Sequence, residues 1–122
     1  MKQYPVTPIG KPRQTQRDKW KQRPAVMRYR AFCDEVRARG VAMPAHGAHV
    51  TFVIPMPKSW PQWKRQQYNG RPHLAKPDAD NLIKALLDAV YGEDCGVWDF
   101  RVTKIWGEEG AILVSSVAEE AA

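Results

Sequence analysis

Residues 77–92 constrain this chain more than any other stretch. A proline opens the segment and a glycine closes it. Between them Leu82, Ile83, Leu86, Ala89 and Val90 recur at the three- and four-residue spacing of one helix face. The pattern predicts a helix over 78–91 that buries this stripe and stops at Gly92. Pro77 disfavours helical geometry at Lys76, so the chain should enter extended and turn into the helix at Asp78.

Around this helix the sequence reads as one α+β domain over residues 1–122. Residues 2–9 fit an edge strand, because Pro5 and Pro8 each lack a ladder donor. A first helix is expected over 24–39, with Pro24 in its first turn, Tyr29, Phe32, Cys33 and Val36 as its apolar stripe, and Gly40 as its stop. The run Val50-Thr51-Phe52-Val53-Ile54 within 48–54 predicts a central strand covered on both faces. Strands at 99–106 and 111–117, joined by Gly107-Glu108-Glu109-Gly110, read as a hairpin. Residues 10–23 and 55–77 read as basic loops, and 118–122 as a frayed tail.

Charge divides the chain sharply. Residues 1–77 carry 16 Lys and Arg against 3 Asp and Glu, a net of +13; residues 78–122 carry 3 against 10, a net of −7. A basic half of this kind suits a polyanionic partner. Aromatic residues interleaved with it (Trp20, Trp60, Trp63 and Tyr68) can stack on unpaired bases, or can serve the core. No apolar run approaches the ~18 residues of a membrane span, and the start Met1-Lys2-Gln3-Tyr4-Pro5 lacks a signal-peptide core. A cytoplasmic protein is expected. Cys33 and Cys95 form no Cys-x-x-Cys motif and share no zinc spacing with His46, His49 or His73, so both are expected reduced and unligated.

The acidic residues carry the chemistry. Asp78 and Asp80 stand two apart at the helix start, Lys84 follows one turn later, and Glu93-Asp94 lie just beyond the helix. Gathered carboxylates suit a hard divalent cation such as Mg²⁺ or Mn²⁺, and such ions hydrolyse phosphodiesters. A plainer explanation exists for each part. Asp caps helix starts, and an Asp80–Lys84 pair at i, i+4 is an ordinary surface contact of about 0.2–0.5 kcal/mol.

The ordered string Lys76-Pro77-Asp78-Ala79-Asp80-Asn81-Leu82-Ile83-Lys84-Ala85-Leu86-Leu87-Asp88-Ala89 closely resembles the signature of the RusA family of Holliday junction resolvases. Met56-Pro57-Lys58-Ser59-Trp60 and Lys64-Arg65 upstream resemble its phage and prophage branch. Gly92-Glu93-Asp94, Val97-Trp98, Asp99 and the strand 101–106 extend the match downstream, and Gly10-Lys11-Pro12-Arg13 match loosely. The pattern departs at Cys95-Gly96. The resemblance implies a mixed β-sheet packed with two main helices, acting as a homodimer. It implies Mg²⁺, with Mn²⁺ able to substitute, held by Asp78, Asp80 and Asp94, with Glu93 a weaker ligand. Lys84 then faces the scissile phosphate, which gives a catalytic set of Asp78, Asp80, Lys84 and Asp94. The basic residues expected on branched DNA are Lys11, Arg13, Lys58, Lys64, Arg65, Arg71 and Lys76. No nucleotide cofactor is expected, Asn81 is expected to hold a carboxylate or the helix start, and Asp88 and Asp99 are expected to be structural.

The activity so implied is metal-dependent, structure-selective cleavage of four-way junctions by paired symmetric nicks. Two other readings compete with it: a less selective debranching or flap nuclease, and a non-catalytic module for branched DNA. A pure binder has no use for carboxylates that repel phosphate.

Overall fold

The computed structural model describes residues 1–12, 23–92 and 96–121. Its order is β1 (Lys2–Tyr4), α1 (Pro24–Ala38), β2 (His46–Pro55), α2 (Gln62–Tyr68), α3 (Ala79–Tyr91), β3 (Asp99–Gly107), β4 (Ala111–Ser116) and α4 (Val117–Ala121). These elements make the mixed α+β domain that the sequence predicts. The four strands form one sheet in the order β1-β4-β2-β3, with β2 parallel to β3 and antiparallel to β4. A parallel neighbour needs a long crossover, and residues 56–98, which include α2 and α3, supply it.

Strand β2 shows how the core is laid out. Ala48, Val50, Phe52 and Ile54 are buried and alternate with half-buried His49, Thr51 and Val53. The buried set joins Ile112 and Val114 of β4 beneath α1 and α3, which contribute Phe32, Val36, Leu82 and Leu86. The two helices also pack against each other. The expectation that β2 is covered on both faces is therefore corrected, because these helices lie on one face only. The β-branched Thr51 and Val53 fill the second face and hide the alternation from a reading of apolar runs.

A second correction concerns the 99–117 region. Strands β3 and β4 do not form a hairpin; β2 lies between them. The link from Gly107 to Gly110 crosses the end of β2, and its two glycines are there for close approach. A Cβ on Gly107 would sit 2.3 Å from Val53 Cγ1, and one on Gly110 would sit 2.5 Å from Thr7 Oγ1.

Two loop assignments also change. Helix α2 falls inside the segment 55–77 that reads as a loop. None of its residues is buried, so it has no apolar stripe to detect. It is held from outside, with Trp60 against Tyr68 and Trp106 at ring-centroid distances of 5.4 and 4.9 Å. The tail does not fray as a whole. Residues 117–121 form α4, tied by the Met1 ammonium to Glu119 at 2.9 Å and by His49 to Glu120 at 2.7 Å. Cys33 is a free buried thiol, pushed up by burial above its ordinary value. No helix among the described residues is long and apolar enough to cross a membrane.

Candidate active site

The start of α3 is fixed from three directions. Asp78 is the N-cap, with extended backbone (φ −69°, ψ 151°), and its carbonyl accepts the first helical bond from Leu82 N–H at 3.0 Å. The Lys76-Pro77 peptide before it is cis. From β3, the Lys104 ammonium donates to the carbonyls of Ala75 at 2.6 Å and Pro77 at 2.9 Å. From the other side Gly10 is pressed so closely against Asn81 that a Cβ would sit 2.5 Å from Asn81 Nδ2. Hydrogen bonds from Gly70 and His73 N–H to the carbonyls of Trp106 and Lys104 lace the preceding loop to β3.

Within this frame the acidic side chains make neither a cap bond at Asp78 nor, among the described residues, an i, i+4 pair between Asp80 and Lys84. Asp78, Asp80 and Lys84 are all exposed. Two open carboxylates at the positive end of a helix dipole, with a cation one turn away, can receive a hydrated divalent ion and a phosphate together. Mg²⁺ commonly binds through one or two carboxylates, keeping waters and taking substrate oxygens, so this donor set fits it. Among the described residues no group of three acidic, His or Cys side chains converges. Asp94 and Glu93 lie outside the described residues.

Asp88, three turns along α3 from its start, contrasts with these. It accepts from Tyr29 Oη at 3.0 Å and pairs with Lys11. Burial and the contact with this carboxylate raise the Tyr29 phenol well above its ordinary value, burial being the larger cause. Asp88 is thus structural, as expected, and Lys11, expected on DNA, has its ammonium on this carboxylate. Arg65 is likewise committed within the fold, donating to Glu108 at 2.6 Å and to the Pro57 carbonyl at 2.8 Å. Lys64 lies over the Trp60 ring at 4.2 Å. Lys58, Arg71 and Lys76 are exposed, and Arg13 lies outside the described residues. Trp60 and Tyr68 pack internally, whereas Trp63 is 65% exposed.

Sequence reasoning missed Lys104 and His73. Lys104 is the register partner of Phe52, so it leaves β3 on the core side before turning to the 75–77 carbonyls. A lysine at a core-facing strand position is rare, and that was its readable signal. His73 is 2% exposed, packs tilted against Trp106 at a ring-centroid distance of 4.3 Å, and has no partner for Nδ1 among the described residues. Burial, and then the Lys104 charge, lower its basicity.

Beside Asp78 opens a cleft of about 650 Å³ between the segment 8–12, α1 and the start of α3. The opposite end of α3, at Gly92, lies about 20 Å from Asp78, since 13 residues rise ~1.5 Å each.

The chain is 35% identical over 68 residues to an uncharacterized protein, YqaN, of Bacillus subtilis (strain 168), an alignment covering 49% of this chain and 48% of that one. The chain thus spans about half the length of the relative it matches. No solved structure matches it. A family model described as endodeoxyribonuclease RusA matches residues 5–115, which include every described element of the site. By that match this chain belongs to the RusA endodeoxyribonuclease family.

Proposed function

We propose that the protein is a Mg²⁺-dependent, structure-selective endodeoxyribonuclease that resolves four-way DNA junctions by paired nicks, acting as a homodimer in recombination and repair. One observation carries the reading. Two neighbouring carboxylates stand at the start of α3, Asp78 lining a cleft and making no cap bond, and neither pairs with a cation among the described residues. In a binding module such groups would only repel phosphate.

A bound Mg²⁺, or Mn²⁺ in its place, supplies an activated water and stabilises charge on the leaving oxygen. Asp78 and Asp80 would hold it. Lys84, exposed on the same turn of α3, neutralises the scissile phosphate and the charge that develops on it. Lys104 acts earlier, holding the backbone that presents Asp78. Asp94 completes the expected ligand set. It lies outside the described residues and would join Asp78 and Asp80 either within its own subunit or across the dimer. A two-fold dimer presents equivalent sites to a two-fold junction.

The test is incubation of purified protein with synthetic junction, flap and linear duplex, with and without Mg²⁺. Paired nicks in the junction alone, only with the metal, are expected. Equal cutting of flap and duplex would replace junction resolution by the less selective nuclease, and binding without cutting in any metal would overturn the enzyme reading.

A further inference from the structure

The cleft beside Asp78 has a composition that cutting alone does not require. Arg28 reaches it from α1 and Lys76 from the loop before α3. Both side chains are exposed, and neither has a carboxylate partner among the described residues. Nearby cations are treated differently: Lys11 is paired with Asp88, and Arg37 Nε donates to the Ala89 carbonyl at 3.0 Å. Asp78 shares the cleft but pairs with neither cation. Two like charges from separate elements line one space, and neither is paired with a carboxylate among the described residues, which makes a site for an anion. The lining between them includes apolar Pro8, Ile9, Pro12 and Pro77, beside polar Lys11, Asp78 and Asn81. At about 650 Å³ the space is of small-ligand size, with room for a nucleotide but not for a duplex.

We propose that this cleft binds one unpaired nucleotide of the cut strand, next to the scissile phosphate. Arg28 and Lys76 hold the phosphate that flanks the scissile one, and the proline-rich wall packs against its sugar and base. The inference rests on the nuclease reading, since Asp78 sets where the scissile bond lies. It adds a requirement: the strand must leave its duplex to enter. A branch point supplies such a nucleotide at low cost, because unstacking is least expensive where pairing is already broken.

The experiment uses the full chain with a synthetic four-way junction carrying 4-thiothymidine at successive positions around the branch, in EDTA so that nothing is cut. Ultraviolet crosslinks from one position should map to peptides containing residues 8–12, 25–28 or 76–81. Arg28→Ala should reduce the slope of log affinity against log salt by about one, and Arg28→Ala with Lys76→Ala by about two. Arg28→Lys should keep the slope, and an unchanged melting temperature shows that each variant folds. Crosslinks confined to other peptides, or an unchanged slope in the folded double variant, would overturn the cleft assignment. Nicking by wild type in Mg²⁺ is scored separately. A protein that never cuts but crosslinks through the cleft loses the nuclease reading and keeps the nucleotide site, whereas one that cuts without those crosslinks does the reverse.

Discussion

Asp78 and Asp80 at the start of α3 differ from Asp88 further along it in what surrounds them, although residue type and helix are the same. Asp88 is part-buried and partnered, with a phenol and an ammonium both on its Oδ2. Asp78 and Asp80 are exposed, and neither carboxylate has a partner among the described residues. Yet the backbone under Asp78 is fixed by Lys104 and braced by the Gly10 contact with Asn81. Fixed backbone beneath unsatisfied side chains is the arrangement expected of a preorganised site. A partnered carboxylate in the same helix is the arrangement of a fold contact.

Amide substitution separates the two kinds of carboxylate most widely. Asp78→Asn or Asp80→Asn should abolish nicking, leave junction binding intact and leave the melting temperature near wild type. Asp88→Asn should do the opposite, keeping most activity while weakening the charge-assisted bond to Tyr29 and the pair with Lys11, at about 1–2 kcal/mol. The measurements are single-turnover cleavage of a saturated junction and thermal melting of each variant. Full nicking by Asp80→Asn in Mg²⁺ would remove the metal-site assignment.

If the Lys84 ammonium faces the scissile phosphate, Lys84→Ala should lose a hundredfold to a thousandfold in rate, ~2.7–4 kcal/mol. Lys84→Arg should restore little, since a wide planar group cannot take the place of a point charge. As a surface residue it would cost at most about 0.5 kcal/mol of stability and leave cleavage intact. A folded Lys84→Ala protein cutting within threefold of wild type would return Lys84 to the surface.

What the sequence made legible follows from range. Both main helices were readable within a residue of their ends, because proline, glycine and a 3.6-residue stripe are local signals. The acidic pair was readable for the same reason. The pairing of β3 was not: Gly107 and Gly110 resemble turn residues, and only contact with Val53 and Thr7 shows that they let the chain cross β2. The DNA-facing residues were partly misjudged on similar grounds. Charge density along 55–77 is a local quantity, whereas the pairing of Arg65 with Glu108 joins positions 43 residues apart. Lys104 could be flagged only as a lysine at a core-facing strand position; its role could not be read, because its partners are backbone carbonyls, which leave no mark in a sequence.

Lys104→Met tests whether the fixed backbone beneath Asp78 serves function as well as stability. Two carbonyls lose a charged donor, at about 1–3 kcal/mol. If Lys104 also positions Asp78, Mn²⁺ binding measured by calorimetry on the folded variant should weaken severalfold, and the Mg²⁺ midpoint for cleavage should rise with it. Lys104→Arg should recover stability before it recovers metal affinity. Lowered melting with unchanged Mn²⁺ binding would leave Lys104 as a fold contact, like Asp88.

His73 gives the smallest expected effect, and it tests whether the loop before the site is held by a neutral ring. Burial, and secondarily the Lys104 ammonium, keep its imidazole below the ordinary value of 6.5. The folded chain therefore binds this proton less readily than the unfolded one. Between the lowered folded value and 6.5 the unfolded state carries the extra proton, so stability rises with pH across that window. It is fully present above 6.5 and is lost as the solution is acidified. His73→Phe should remove this contribution while retaining a ring to pack against Trp106, whose centroid His73 meets at 4.3 Å. Urea midpoints at pH 7.5 and 5.5 decide the matter. Wild type should lose more on acidification than His73→Phe, by the amount due to this one group. Equal losses in the two proteins would mean that His73 binds its proton as readily in the fold as in the unfolded chain, so that neither burial nor the Lys104 ammonium disfavours its charged form.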